Sequence, residues 1–261
     1  MIESSYSSVI TKHETSERDR LNEQAGIADK EEMEFLRSIG LRPGIRVLDL
    51  GCGCGSVTYR LAAAATGGTV IGVDADNRIL PKTEPNSNPQ FILAEGGSLP
   101  FREKSFDFIY ARFLLQHVHR PKTIVNDAAS KLALNGTLAL MDTDDSFFTM
   151  DPKDTQLEDM LSDARVKQAQ LNGDRNIGRK LPVLLTSAGL SIIGCRARIF
   201  TSFEIPFEII FRLATGFKAA LLDRRNEFTE IMNRLSPQFK CGRAFMTCGV
   251  IIAGGKKIDN Q

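Results

Sequence analysis

Gly51, Gly53 and Gly55 occupy alternate positions in Val47–Ser56 (VLDLGCGCGS), where an apolar strand-like run meets a helical one. Glycine in such a turn tolerates positive φ and lets the backbone approach a ligand that a Cβ would push away. A dinucleotide's diphosphate asks for G-x-G-x-x-G, and the sixth position here is Ser56. Asp49 adds a carboxylate one residue before the strand ends, which would repel a diphosphate and attract an ammonium or sulfonium. Downstream, Val70–Asp76 (VIGVDAD) puts Asp74 at the carboxyl tip of a second strand, beside the turn in a right-handed βαβ unit. A carboxylate there can accept hydrogen bonds from both hydroxyls of a ribose, and its plainer role is to cap the next segment. Turn, Asp49 and Asp74 together predict a site for a cationic nucleoside.

These residues need a rigid sheet to hold them. Ile45–Leu50, Thr69–Val73, Phe91–Ala94, Phe106–Tyr110 and Thr137–Met141 have strand length and strand composition, with helical patterns at Ser56–Ala65 and Pro121–Leu132 between them. Apolar strands alternating with helices imply a mostly parallel, doubly wound α/β sheet covered on both faces, with ligands beyond the strands' carboxyl ends. Leu190–Phe200 and Phe245–Ala253 bring the expected strands to seven. Residues 1–40 are expected to form an N-terminal helical lid, 41–145 the cofactor-binding core and 146–261 the substrate-side part, all in a single domain. Gln156–Gln170 and Gly178–Ala188 read as helices, and 206–235 as a helical insertion longer than a simple connection requires. Ten of the 16 Phe lie beyond residue 145, which predicts an apolar cover over one end of the sheet. Pro81, Pro85 and Pro89 forbid more than a turn or so of helix in Asn77–Gln90, so a looser edge is expected there.

Composition narrows the classes. Lys and Arg total 33 against 32 Asp and Glu, a formal charge of +1, without the basic excess of a nucleic-acid or anionic-membrane binder. Five cysteines, an odd number with no paired framework, and a polar N-terminal stretch predict a cytoplasmic protein without a membrane span. Cys52 and Cys54 flank Gly53 with no further soft ligands nearby, so no metal is expected.

The quoted segments resemble the class I S-adenosylmethionine-dependent methyltransferases of small-molecule type, over most of the chain. The resemblance implies a Rossmann-like methyltransferase fold, S-adenosylmethionine as cofactor and a small-molecule substrate. Val47–Gly55, with Gly51, Cys52 and Gly53, resembles the motif that wraps the methionine part, Asp74 the ribose-holding acid, and Ala75 its neighbour beside adenine. Ala94–Phe101 (AEGGSLPF) resembles the next motif, with Glu95 where Asp is commoner and Gly96 offering its backbone. Phe106–Val118 resembles the fourth strand and its turn, placing Ala111 and Arg112 near the methionine. Glu17, Arg20, Leu21 and Gln24 resemble a helix that closes over the cofactor. Arg20 and Gln24 share one helical face, and Tyr6 would line the same mouth. The alternative for this helix is a solvated amphipathic one.

Methyl transfer from a sulfonium needs alignment and desolvation, and a base only when the nucleophile arrives protonated. His117, after the fourth strand, is the candidate base or else a packed neighbour. His119 is expected at the surface and His13 carries no argument. Asp142 is expected on the substrate side and is grouped with His117 as catalytic, while Asp144 and Asp145 either join it or cap the next helix. In Asn172–Pro182 (NGDRNIGRKLP), Gly178 and Arg179 would bring a cation toward an acidic substrate group, or form a plain turn. The expected activity is methyl transfer to O or N of a small, partly apolar metabolite. A non-catalytic nucleoside-binding protein on the same fold competes, and so does a nicotinamide-dependent oxidoreductase, which Ser56 counts against. A nucleic-acid methyltransferase lacks support, since the turn after the fourth strand reads ARFL rather than N-P-P-[YF].

Overall fold

A computed structural model describes residues 19, 21–27, 29–84 and 86–259. In chain order the principal elements are α1 (Asp29–Ser38), β1 (Arg46–Leu50), α2 (Ser56–Ala64), β2 (Thr69–Asp74), β3 (Gln90–Leu93), β4 (Phe106–Arg112), α3 (Pro121–Lys131), β5 (Leu132–Thr143) and β6 (Thr149–Asp151). There follow α4 (Thr155–Gln170), α5 (Leu181–Ser187), β7 (Ser191–Thr201), α6 (Phe207–Leu221), α7 (Arg225–Lys240) and β8 (Phe245–Lys256). A short helical stretch, residues 21–26, precedes α1.

The strands form one eight-stranded sheet in the order β3-β2-β1-β4-β5-β8-β6, with β7 on the other side of β8. β1 to β5 run parallel, and β8 runs antiparallel to β5, β6 and β7. All seven expected strands are present. The eighth, β6, is a three-residue strand that pairs with Phe245–Thr247 of β8, too short for periodicity to show. Side chains alternate between the faces, as a two-residue repeat requires. Val47, Phe108, Tyr110, Ala139 and Met141 pack on one face with α1, α2, α4, α6 and α7. Leu48, Ile109, Ala111, Leu138 and Leu140 pack on the other with α3 and α5.

The 1–40 segment is not all lid: in α1, Phe35 and Leu36 are buried core residues. The glycines of β7 and β8 let α1 settle on the sheet, since a Cβ on Gly254 would lie 2.7 Å from Ile39 and one on Gly194 would lie 3.2 Å from Phe35. Asn77–Gln90 shows no helix among its described residues, as its prolines dictate, yet it is fastened rather than loose. Ile79 is fully buried, Thr83 and Phe91 exchange hydrogen bonds of 2.9 and 2.8 Å, and Asn88 accepts from Val70 N–H at 2.9 Å. Side-chain anchors here do the work of a covering helix.

The insertion folds as α6 and α7, which pack on each other through stacked rings. Phe207 lies 3.9 Å from Phe239 and Phe211 lies 5.2 Å from Phe228. These helices are the aromatic cover that the phenylalanine bias predicts.

Gly55, which caps α2, has φ +82°, and a Cβ there would sit 2.7 Å from the Phe91 ring. Gly55→Ala is expected to cost about 2 kcal/mol, combining left-handed strain with overpacking. Urea unfolding would read this loss, and a Phe91→Leu background should recover part of it.

Candidate active site

A cavity of about 880 Å³ opens beyond the carboxyl ends of β1, β2 and β4. Its floor is the glycine turn, four of whose amides are committed within the protein. Val73 C=O accepts from Gly51 N–H at 2.8 Å and Cys52 N–H at 3.0 Å, and Cys52 C=O accepts from Gly55 N–H at 2.9 Å. Asp74 Oδ2 accepts from Gly53 N–H at 2.8 Å, while its Oδ1 accepts from Asp76 N–H at 2.9 Å. Burial raises the Asp74 pKa against the pull of those donors.

Asp49 also lines the cavity. It is 1% exposed, and Thr58 Oγ1 of α2 donates to it at 2.6 Å. Burial lifts its pKa to about 7; the Thr58 bond opposes the rise and the Asp74 charge adds to it. Ala75, Glu95 and Gly96 line the next stretch of wall, with Glu95 exposed. Cys52 is buried, and burial raises its thiol pKa. Cys54 lies closer to the surface than Cys52.

The end of β4 builds the opposite wall. Ala111 is buried beneath it, outside the lining residues, because strand alternation turns it into the sheet's other face. Arg112 lines the cavity but is engaged: its Nε lies 3.0 Å from Glu32 Oε2, and its NH2 donates to Gln24 C=O at 3.0 Å. Tyr110 Oη donates to Glu32 Oε1 at 2.9 Å. Arg112 therefore straps residue 24 and α1 to the sheet. Gln24 lines the cavity, whereas Tyr6 and Arg20 lie outside the described residues. Phe113 follows with φ +53°, a conformation that costs a bulky residue energy and is met mainly at sites where the surroundings impose it.

His117 lines the cavity from a short 3-10 turn, Leu115–His117, with its ring 4.8 Å from Phe217 of α6. His119 is exposed at the rim. Asp142 is not in the cavity: it is 1% exposed and accepts from Gln116 N–H at 3.1 Å and Thr143 N–H at 2.9 Å. Burial raises its pKa to about 7. It holds the turn that carries His117, a positioning place rather than a substrate-side one. Asp144 caps the turn Asp145–Phe147 and binds Arg179 at 2.7 and 2.5 Å. Burial raises its pKa, but the Arg179 and Ser146 hydrogen bonds prevail and hold it at about 2.

Arg179 is thus spent on Asp144, and Gly178 packs against Thr143 C=O. The cation that the 172–182 loop sends to the cavity is Arg175. Gln116, 3% exposed, is the hub of this region. Its side-chain carbonyl accepts from Thr143 Oγ1 at 3.2 Å and from Arg175. Its backbone carbonyl accepts from Asp174 N–H at 2.9 Å and Gln168 Nε2 at 3.1 Å. Among the described residues, no group of three or more His, Cys, Asp or Glu gathers as metal ligands, and no helix is long and apolar enough to cross a membrane.

Asp49 fixes a pH dependence. Its folded pKa, about 7, lies above the ordinary 3.8, so the folded state binds the proton more tightly. The stability this confers is full below the lower value and is lost as pH rises through the upper one. Asp49→Asn keeps an acceptor for Thr58 and removes the titration. The variant should gain stability relative to the native protein as pH rises, read by urea unfolding at about pH 4.5 and about pH 7.5. Parallel losses in the two proteins would show an ordinary carboxyl.

Residues 48–140 match the family model described as a methyltransferase domain. An uncharacterized methyltransferase of Synechocystis is 35% identical over 112 residues, covering 41% of this chain and 51% of that protein. The chain spans about half the length of the first curated relatives it matches. A putative methyltransferase from Bacillus halodurans superposes with a TM-score of 0.59 at 14% identity, covering 87% of this chain and 98% of that one. A Haemonchus contortus phosphoethanolamine N-methyltransferase, solved with phosphomonomethylethanolamine and S-adenosylhomocysteine, gives 0.57 at 16% identity, covering 88% of this chain and 53% of that one. The matched segment holds the glycine turn, Asp74 and the β4 wall and is a methyltransferase domain by that family model, and the chain as a whole has the fold that these neighbours share.

Proposed function

We propose that this protein binds S-adenosylmethionine in the 880 Å³ cavity and transfers its methyl group to an oxygen or nitrogen of a small, partly apolar acceptor. The observation that carries this reading is the glycine turn, with the amides of Gly51, Cys52, Gly53 and Gly55 used internally and the Asp49 and Asp74 carboxylates beside it. A diphosphate would find few N–H donors and an unfavourable field there, whereas a ligand with an ammonium and a sulfonium meets complementary charge. When bound, S-adenosylmethionine supplies a methyl group on a positively charged sulfur, a leaving group that needs no proton.

The protein's own residues then have separable tasks. Asp74 gives one acceptor position on Oδ2 to the glycine turn and one on Oδ1 to Asp76 N–H, and the carboxylate keeps lone pairs for ribose hydroxyls. Gly51, Cys52 and Gly53 border the methionine part, and Ala75, Glu95 and Gly96 the adenine. Arg112 acts on this region through Gln24 and α1, since Glu32 already neutralises it. Asp142 holds the turn that presents His117. His117 stands where it can take the proton of an acceptor that arrives protonated. The α6–α7 cover keeps bulk water from the reacting centre.

Calorimetry tests the binding half. S-adenosylmethionine should bind and NADH should not. Asp74→Ala should weaken binding by about 2 kcal/mol, close to thirty-fold, as expected for hydrogen bonds to a charged group. Affinity of the native protein should rise from about pH 5.5 to about pH 7.5 as Asp49 ionises, and Asp49→Asn should flatten that rise. NADH binding with no S-adenosylmethionine binding would overturn the proposal. For the transfer half, labelled methyl donor offered to a cell extract should label a small metabolite, and if His117 is the base His117→Gln should slow that labelling more at neutral pH than at a pH high enough to ionise the acceptor itself. Cofactor binding with no labelling at all would leave the protein a nucleoside binder.

A further inference from the structure

A second chamber of about 70 Å³ adjoins the main cavity, and Phe113, Thr143 and Leu213 line both. The chamber is mostly apolar, walled by Phe148, Ile210 and Val250 among others. Its charged end lies within it. Lys218 of α6 is 3% exposed, with Nζ 3.1 Å from Asp145 Oδ2 and 5.5 Å from the centre of the Phe148 ring. Arg175 approaches the other oxygen, its NH2 3.0 Å from Asp145 Oδ1.

Two cations thus share one carboxylate. The other charged groups of the lining are paired elsewhere, Arg112 with Glu32 and Asp144 with Arg179. Asp142 lies behind the turn and outside the chamber's lining, with both oxygens on backbone amides, and Arg175 feels its charge from there. An ammonium offers three donors, and Asp145 is the carboxylate within ion-pair reach of Lys218 among the described residues. Burial, and then the neighbouring Arg175, push the Lys218 pKa down to about 8, while Asp145 holds it up. Cys248 completes the titratable surroundings. An excess positive charge in an apolar chamber is costly unless an anion arrives to share it.

We infer that this chamber is the anchoring subsite for an ionised oxygen acid at one end of an otherwise apolar acceptor. Arg175 and Lys218 take the anionic oxygens, and Phe113, Leu213 and Phe148 clasp the apolar body. The methyl-accepting atom stays on the main-cavity side of the residues that line both. The word acceptor rests on the function proposed above; the anion site itself does not.

The test titrates benzoate and its uncharged isostere benzamide into the full chain, with and without saturating S-adenosylhomocysteine, by calorimetry or ligand-observed NMR. Benzoate should bind at least about tenfold tighter than benzamide, as a charge-assisted contact implies. Lys218→Met should abolish that preference, Lys218→Arg should keep it, and neither should shift S-adenosylhomocysteine affinity more than about twofold. Equal binding of the two probes by the native protein, or an undiminished preference in Lys218→Met, overturns the inference. The native comparison decides the matter even if a variant fails to fold. Failure of S-adenosylhomocysteine to bind would count against the methyltransferase proposal, and the benzoate arm without it would still judge the chamber.

Discussion

An amide hydrogen given to one acceptor is no longer offered to another, and the site depends on where the glycine turn gives its own. The carbonyl of Val73 and the carboxylate of Asp74 both end β2, and together they take the N–H groups of Gly51, Cys52 and Gly53. The turn is thereby stitched to the neighbouring strand. A nest of amides pointing outward would make an anion site; the same nest turned inward leaves the field of the surrounding carboxylates in charge. Asp49 and Asp74 set that field, and burial makes both harder to ionise. Two carboxylates that burial makes costly to ionise are stabilised in their charged form by a cation, so the site favours a cationic ligand.

The strap across the β4 end is the second dependency. Glu32, Tyr110 and Arg112 come from α1 and β4, yet they form one buried hydrogen-bonded group. A buried ion pair of this kind contributes little net stability, but losing one partner strands the other. Its use here is positional. Arg112 reaches the carbonyl of Gln24 and fixes the first described helical stretch over the cavity, and Phe113 then turns through a left-handed backbone into the boundary between the two chambers.

Much of this was legible in the sequence where function is local. Gly51, Gly53, Gly55, Asp49 and Asp74 are bound to consecutive strand ends, so spacing alone nearly determines their neighbours. The alternation of apolar runs with helices likewise implied the parallel sheet. What was not legible is combinatorial. Gln116, Asp145, Arg175 and Lys218 come from four separate segments, and no periodicity links them. Arg175 and Arg179 look equivalent within NGDRNIGRKLP; the choice between them is made by Asp144, which captures Arg179, while Asp145 meets Arg175. Asp142 looked substrate-facing because it follows a strand that points at the site. Strand pleat decides otherwise, turning it toward the amides beneath the cavity. The short β6 was missed for a simpler reason, since three residues cannot display a period.

The helix α6 shows how one element can divide a site. Residues four apart lie on one helical face, and Leu213 and Phe217 form one such stripe along the main cavity. Ile210, Ala214 and Lys218 form the adjacent stripe along the smaller chamber. A one-residue offset between the stripes therefore separates a wholly apolar wall from one that ends in a cation. Phe217 also meets the ring of His117, so the helix that carries the buried charge also fixes the candidate base. Any shift of α6 would move both, and the stacked rings of Phe207 with Phe239 and Phe211 with Phe228 hold it in place. The aromatic cover is thus the means by which the second chamber keeps its register with the first.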